Sequence, residues 1–170
     1  MTTRWISTTT EPITAAEVKT LVPIDGTDHD ARIALLIPAM RKQAEQITGR
    51  SLATSTYQVK LDEFPSAIEL LWPPIVSVQS LTYYDTSAVL QTITDYTLDS
   101  HSEPGWLLPA VSWPETYDMA NAVIVNYTAG YGASAPEEVK MWIAAMIGIE
   151  IDGRDVPPYL DGLLDRLRVY

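Results

Sequence analysis

The densest run of groups able to do chemistry is Asp25-Gly26-Thr27-Asp28-His29-Asp30, three carboxylates and an imidazole within six residues. Carboxylates alternating around a glycine suit a hard cation such as Ca²⁺, but the EF-hand spacing and its closing Glu are missing. The simpler expectation is a turn at Asp25-Gly26 and then a helix capped by Thr27 or Asp28, the other acids complementing its dipole.

A second run, Ser100-His101-Ser102-Glu103-Pro104-Gly105, sets hydroxyl, imidazole and carboxylate side by side. A serine nucleophile needs a strained elbow such as Gly-x-Ser-x-Gly, which does not occur, so a solvated loop is expected. Gly130-Tyr131-Gly132 lacks the third glycine or the lysine of a phosphate cradle and reads as a turn into a helix. Asp62-Glu63 and Glu137-Glu138 are adjacent pairs whose side chains diverge, unlike the converging acids of a glycosidase. The chain has no cysteine, hence no thiolate zinc site and no thiol nucleophile. The expectation is a protein without catalytic, cofactor-binding or metal-binding residues, using no cofactor and not an enzyme.

Charge is more informative than any of these motifs. The chain has 170 residues and a net charge of −11. Residues 61–139 hold eleven of the 22 acids and none of the 11 bases. This weighs against that stretch gripping nucleic acid, because phosphate binding needs Lys and Arg to displace counterions. No apolar run approaches the ~20 residues of a membrane span, and MTTRWISTTT lacks a signal-peptide core, so no membrane partner is expected.

The elements that must position these residues follow in three textures. Residues 1–11 form a Thr-rich arm, expected to be mobile or to dock on a partner. Thr14-Ala15-Ala16-Glu17 is a capping box opening a short helix that Pro23 ends. Ile33, Leu36, Ile37, Met40, Ala44 and Ile47 stripe a longer helix from about His29 to Thr48, and Gly49 stops it. Residues 51–130 alternate apolar and polar between Pro, Gly and Asp breaks, predicting an antiparallel β-rich insert. Helical periodicity returns after Pro136 with Val139, Trp142, Ile143, Met146, Ile147 and Ile151. A last amphipathic stretch carries Leu160, Leu163, Leu164 and Leu167.

The fold class expected is α+β. An N-terminal helix pair (12–50) and C-terminal helices (136–170) would form a small helical bundle, with the β-rich insert (51–130) between them. All of 12–170 would then be a single domain.

Taken in order, several segments match a recognisable pattern. They are Ile13-Thr14-Ala15-Ala16-Glu17-Val18-Lys19, Asp28-His29-Asp30, Ala44-Glu45-Gln46-Ile47-Thr48-Gly49-Arg50-Ser51-Leu52 and Leu71-Trp72-Pro73-Pro74-Ile75-Val76-Ser77-Val78. Leu81 with Tyr83-Tyr84-Asp85, Tyr96-Thr97-Leu98-Asp99 and Tyr127-Thr128-Ala129-Gly130-Tyr131 with Pro136 continue it. Over residues 12–168 the chain resembles the head–tail connector (adaptor) proteins of tailed bacteriophages and prophages. It departs from them in one respect, a strongly apolar helix after the last strand.

The resemblance implies a structural virion protein of the neck, assembled in the host bacterial cytoplasm. It would form a ring of about a dozen copies. Its partners would be the portal protein, a tail-completion or neck protein, and itself, with DNA passing through the channel without specific binding. In such a ring Arg32, Arg41, Lys42 and Arg50 are expected to meet acids of a neighbouring copy. The stripe of Leu160, Leu163, Leu164 and Leu167, flanked by Arg166 and Arg168, would dock on portal or another partner. Plain core packing gives the same periodicity. The alternatives are a tail-completion or tail-terminator neck protein and, more distantly, a small carbohydrate-binding or hydrolase domain.

Overall fold

The computed structural model describes residues 1–169, apart from the side chain of Asp161. Eight strands run in chain order as β1 (Thr2–Thr10), β2 (Thr54–Leu61), β3 (Ile68–Leu70), β4 (Ile75–Tyr84), β5 (Leu90–Ile93), β6 (Tyr96–Asp99), β7 (Gly105–Pro109) and β8 (Val123–Ala129). Three helices accompany them: α1 (Ala15–Leu21), α2 (Asp30–Thr48) and α3 (Glu137–Asp152). The chain divides into two compact units, one of residues 1–8 and 55–130, the other of residues 9–54 and from 131 onward.

In the first unit the strands form two sheets, ordered β1-β2-β8-β4-β5 and β3-β7-β6. The contacts of β2 with β8, β8 with β4, β4 with β5, β3 with β7 and β6 with β7 are antiparallel. Register follows from alternation. Tyr57, Val59 and Leu61 lie opposite Tyr127, Val125 and Val123, so β2 and β8 present one continuous apolar face. Ile68 and Leu70 on β3 and Leu107 on β7 bring the smaller sheet onto the same core. The sheets approach closely at Gly105, where a Cβ would stand 2.5 Å from Ile75 Cγ1.

In the second unit α1, α2 and α3 share a core of Val18, Ile33, Ile37, Val139, Trp142, Ile143 and Ile147. Thr14 and Glu17 make the predicted reciprocal cap: the Glu17 N–H donates to Thr14 Oγ1 at 3.2 Å and the Thr14 N–H to Glu17 Oε2 at 2.8 Å. The cap of α2 differs from expectation. His29 occupies the position without a side-chain bond, and neither Thr27 nor Asp28 caps the helix.

Three further expectations are corrected. The fold is not an α+β helical bundle holding a β insert; eight strands in two sheets dominate it, and a strand opens the chain. Residues 2–10 are not a mobile arm, because six of nine are β-branched and the strand lies along β2, where Thr8 and Ser55 share a 2.9 Å hydroxyl bond. Finally, the C-terminal helix expected to carry the Leu160–Leu167 stripe does not form as one element. Behind Pro157-Pro158 there is a single turn at Tyr159–Gly162 and a 3₁₀ turn at Asp165–Leu167. Two prolines and Gly162 leave too few residues to propagate a helix.

Candidate interaction surfaces

The chemically suggestive clusters are structural in their bonding. In the first of them Lys19 Nζ donates to the Gly26 carbonyl at 2.6 Å and pairs with Asp30, which ties the turn to the start of α2. Around His101 the carboxylate organises a tight turn. Asp99 Oδ1 accepts from the His101 and Ser102 N–H groups at 3.0 and 3.1 Å, and its Oδ2 from Ser102 Oγ at 2.6 Å. These bonds, Ser102's foremost, hold the Asp99 carboxyl below its ordinary range. The hydroxyl is thus bonded to the acid directly, with exposed His101 outside the pair, which is not the relay of a triad.

Asp62 and Glu63 line an open cleft of about 480 Å³ with Thr116, Tyr117, Asp118, Met119 and Ala120. Asp62 Oδ1 accepts the Asn121 N–H at 2.7 Å. Among the described residues no group of three or more His, Cys, Asp or Glu is placed to hold a metal. Every acid between residues 61 and 139 is exposed or half-buried. The first unit holds nine acids against two bases, Arg4 and Lys60, for a net charge of −7.

The predicted contact residues separate into two groups. Arg41 is buried: its Nε donates to Glu11 Oε2 at 2.8 Å and its Nη1 to Glu45 Oε2 at 2.6 Å. Arg50 is buried too, donating from Nε to the Leu167 carbonyl at 2.6 Å and from Nη1 to the Tyr131 hydroxyl at 3.3 Å. Arg32 and Lys42 are exposed; Arg32 Nη2 donates to the Glu150 carbonyl at 2.9 Å. Leu160 and Leu164 belong to the core of the second unit, with Leu163 and Leu167 packed against it half-buried. Arg166 and Arg168 stay exposed, Arg168 pairing with Asp165 at 3.0 Å.

Two features escaped the sequence reading. Trp72 takes φ +65°, a region that strongly disfavours a bulky side chain, and stacks on Tyr57 at 6.3 Å. Tyr57 in turn stacks on Tyr127, whose hydroxyl donates to the Leu71 carbonyl at 2.8 Å. Burial drives the Tyr127 pKa upward and keeps it a neutral donor. The second feature is a pair of sheet edges carrying large exposed apolar side chains, Trp5 and Ile6 on β1 and Val89 and Leu90 at β5. The β-branched run and the Val-Leu pair beside Asp-Thr-Ser were the available signals.

A family model of head completion proteins matches residues 11–149. The chain belongs to the head completion protein family. Membership agrees with the resemblance to head–tail connectors and gives the chain a structural role as a connector or adaptor. No curated protein matches the sequence. Solved structures do share the head completion protein's fold. A chain in the neck of an empty gene transfer agent particle, in C6 symmetry, aligns with a TM-score of 0.82 at 15% identity. A chain of the native gene transfer agent virion gives 0.77 at 17%, and one of the native neck in C12 symmetry 0.71 at 20%. Each likeness covers 100% of this chain and 96% of the other.

Proposed function

We propose that this head completion protein forms a closed ring in the neck of a tailed phage or phage-like particle. In this reading it sits on the portal protein, receives the next neck or tail-completion component, continues the DNA channel and performs no catalysis. It is assembled in the cytoplasm of the bacterial host. The observation that carries the reading is the family match, joined to an end-to-end likeness of fold to chains of a particle neck described in C6 and C12 symmetry.

Charge supports it. In a ring of identical copies the acids of the first units repel one another, so these units can meet only where a base faces an acid. The acids then face solvent, a basic partner surface or the channel, where like charge keeps a passing genome from adhering. Of the contact residues, Arg32, Lys42, Arg166 and Arg168 lie exposed on the surface, where neighbouring copies or portal would meet them, whereas Arg41 and Arg50 are buried within the second unit.

The test is native mass spectrometry and electron microscopy of the purified chain, alone and with the portal protein of the same particle. Closed rings on portal are expected. A chain that stays monomeric and never binds portal overturns the reading.

A further inference from the structure

The five-stranded sheet ends in two open edges. β1 has β2 on one side and, among the described residues, no strand on the other; β5 has β4 alone. Alternate residues of such an edge turn N–H and C=O outward, a template for another strand. Soluble proteins blunt long edges with proline, bulges or several charges. β1 runs nine residues, Thr2–Thr10, without proline or glycine and with Arg4 as its one charged side chain.

The two edges complement each other. Each carries two adjacent large apolar side chains, Trp5 (47% exposed) and Ile6 (44%) on one, Val89 (52%) and Leu90 (52%) on the other. Their charges are opposite. Arg4 and Lys60, the two bases of the first unit, line one cleft beside β1 with Thr2, Gln58 and Asn121. Asp85 and Asp95 flank β5. Asp85 is fixed in place, accepting from the Ser87 and Val89 N–H groups at 2.9 and 3.0 Å and from Gln91 Nε2 at 2.7 Å.

From this juxtaposition we infer that the β5 edge of one copy adds to the β1 edge of the next, so that the sheet continues from subunit to subunit. The occupant of each edge is a second copy of this chain. Opposite edges of one sheet are different surfaces, so their pairing is head to tail, the type of contact that closes into a ring when the rotation allows. Backbone bonds along the strands supply the register-independent attraction, and Arg4 and Lys60 facing Asp85 and Asp95 orient it. Edge-to-edge addition also leaves the acids of the unit other than Asp85 and Asp95 outside the contact. The inference rests on the ring reading above and names the surfaces that close the ring.

The natural absence of cysteine makes a disulfide test free of background. Single cysteines at each position from 3 to 8, each combined with Thr92→Cys, sample both faces of β1 and successive registers. Strands in contact bring some pair within disulfide range. After assembly on portal and oxidation, at least one combination should give a denaturation-resistant ladder extending to the full ring. Each single cysteine alone should stop at dimers. Arg4→Glu, a surface change, should reduce the ring fraction at least tenfold, and Asp95→Lys in the same chain should restore most of it. Rings visible by electron microscopy with no ladder at any position, and with Arg4→Glu neutral, would overturn the inference and leave the ring reading intact. An absence of rings in the wild-type chain with portal would instead overturn the ring reading, and this inference with it.

Discussion

Arg41 and Glu45 form a buried ion pair one helical turn apart on α2, Nη1 to Oε2 at 2.6 Å, with side-chain exposures of 3% and 11%. Glu45 turns its other oxygen to the Leu52 N–H at 2.9 Å, and Arg41 reaches Glu11 with its Nε at 2.8 Å. The pair thus fastens the chain entering α1 and the chain leaving α2 to the C-terminal half of α2. A salt bridge of this kind is retained less for its net energy than for the cost of leaving either partner alone.

Arg41→Ala should therefore destabilise the protein by about 3–5 kcal/mol, because Glu45 keeps its buried charge without its cation. Arg32→Ala, at an exposed bond to Glu150, should change stability by about 1 kcal/mol or less. Urea unfolding of the two variants measures both. Equal effects would show that Arg41 does not hold these segments together.

The leucine stripe near the C-terminus separates by burial. Leu164 is fully buried and Leu160 nearly so, whereas Leu163 is half-buried. Leu164→Ala should cost about 2–5 kcal/mol through the lost transfer energy and the cavity. Leu163→Ala should cost distinctly less. Thermal unfolding compares them, and the reverse ranking would place the stripe on a docking surface and not in the core.

Gly105 is required by the approach of β7 to β4. Its Cβ would lie 2.5 Å from Ile75 Cγ1 and 3.1 Å from the Asp99 carbonyl. Gly105→Ala should destabilise by about 1–3 kcal/mol, as overpacking does. Adding Ile75→Ala removes the atom met first, so the double variant should lose less than the two single losses combined. Strict additivity in denaturant titrations would mean that the backbone moves aside freely.

Acid should loosen the start of α1. The Thr14 backbone N–H, then its hydroxyl, with a smaller contribution from Lys140, hold the Glu17 pKa below its ordinary 4.5. A depressed folded-state pKa contributes stability that is present above the unfolded value and disappears as pH falls through the folded one. Between pH 7 and pH 3 the wild-type chain should lose more Tm than Glu17→Gln, which keeps an acceptor but cannot titrate. Thr14→Ala should cost about 1 kcal/mol at pH 7. Parallel pH slopes for wild type and Glu17→Gln would remove the cap from the account.

Local signals carried far in this sequence, and tertiary ones did not. The capping box at Thr14, the α2 stripe ending at Gly49 and the alternation of Tyr57, Val59 and Leu61 are short-range patterns, each reproduced in the structure. The arm became β1 because pairing with β2 lies 47 residues away along the chain, where no local pattern reveals it. Arg41 looks like a surface cation in a helical wheel and Arg50 like one in the loop after it, yet partners such as Glu11, Tyr131 and Leu167 come from distant segments. The Leu160–Leu167 periodicity was real, but Pro157, Pro158 and Gly162 reduced it to separate turns that still bury two of the four leucines. The acidic stretch was legible as a number; the placement of nine of its eleven acids on the surface of the first unit required coordinates.

The most direct measurement is electron microscopy, without imposed symmetry, of the neck of particles assembled with this chain. A closed ring of copies is expected between portal and the first tail component, with the DNA channel passing through its centre. A neck that lacks the chain, or holds isolated copies of it that do not close, would contradict the ring reading.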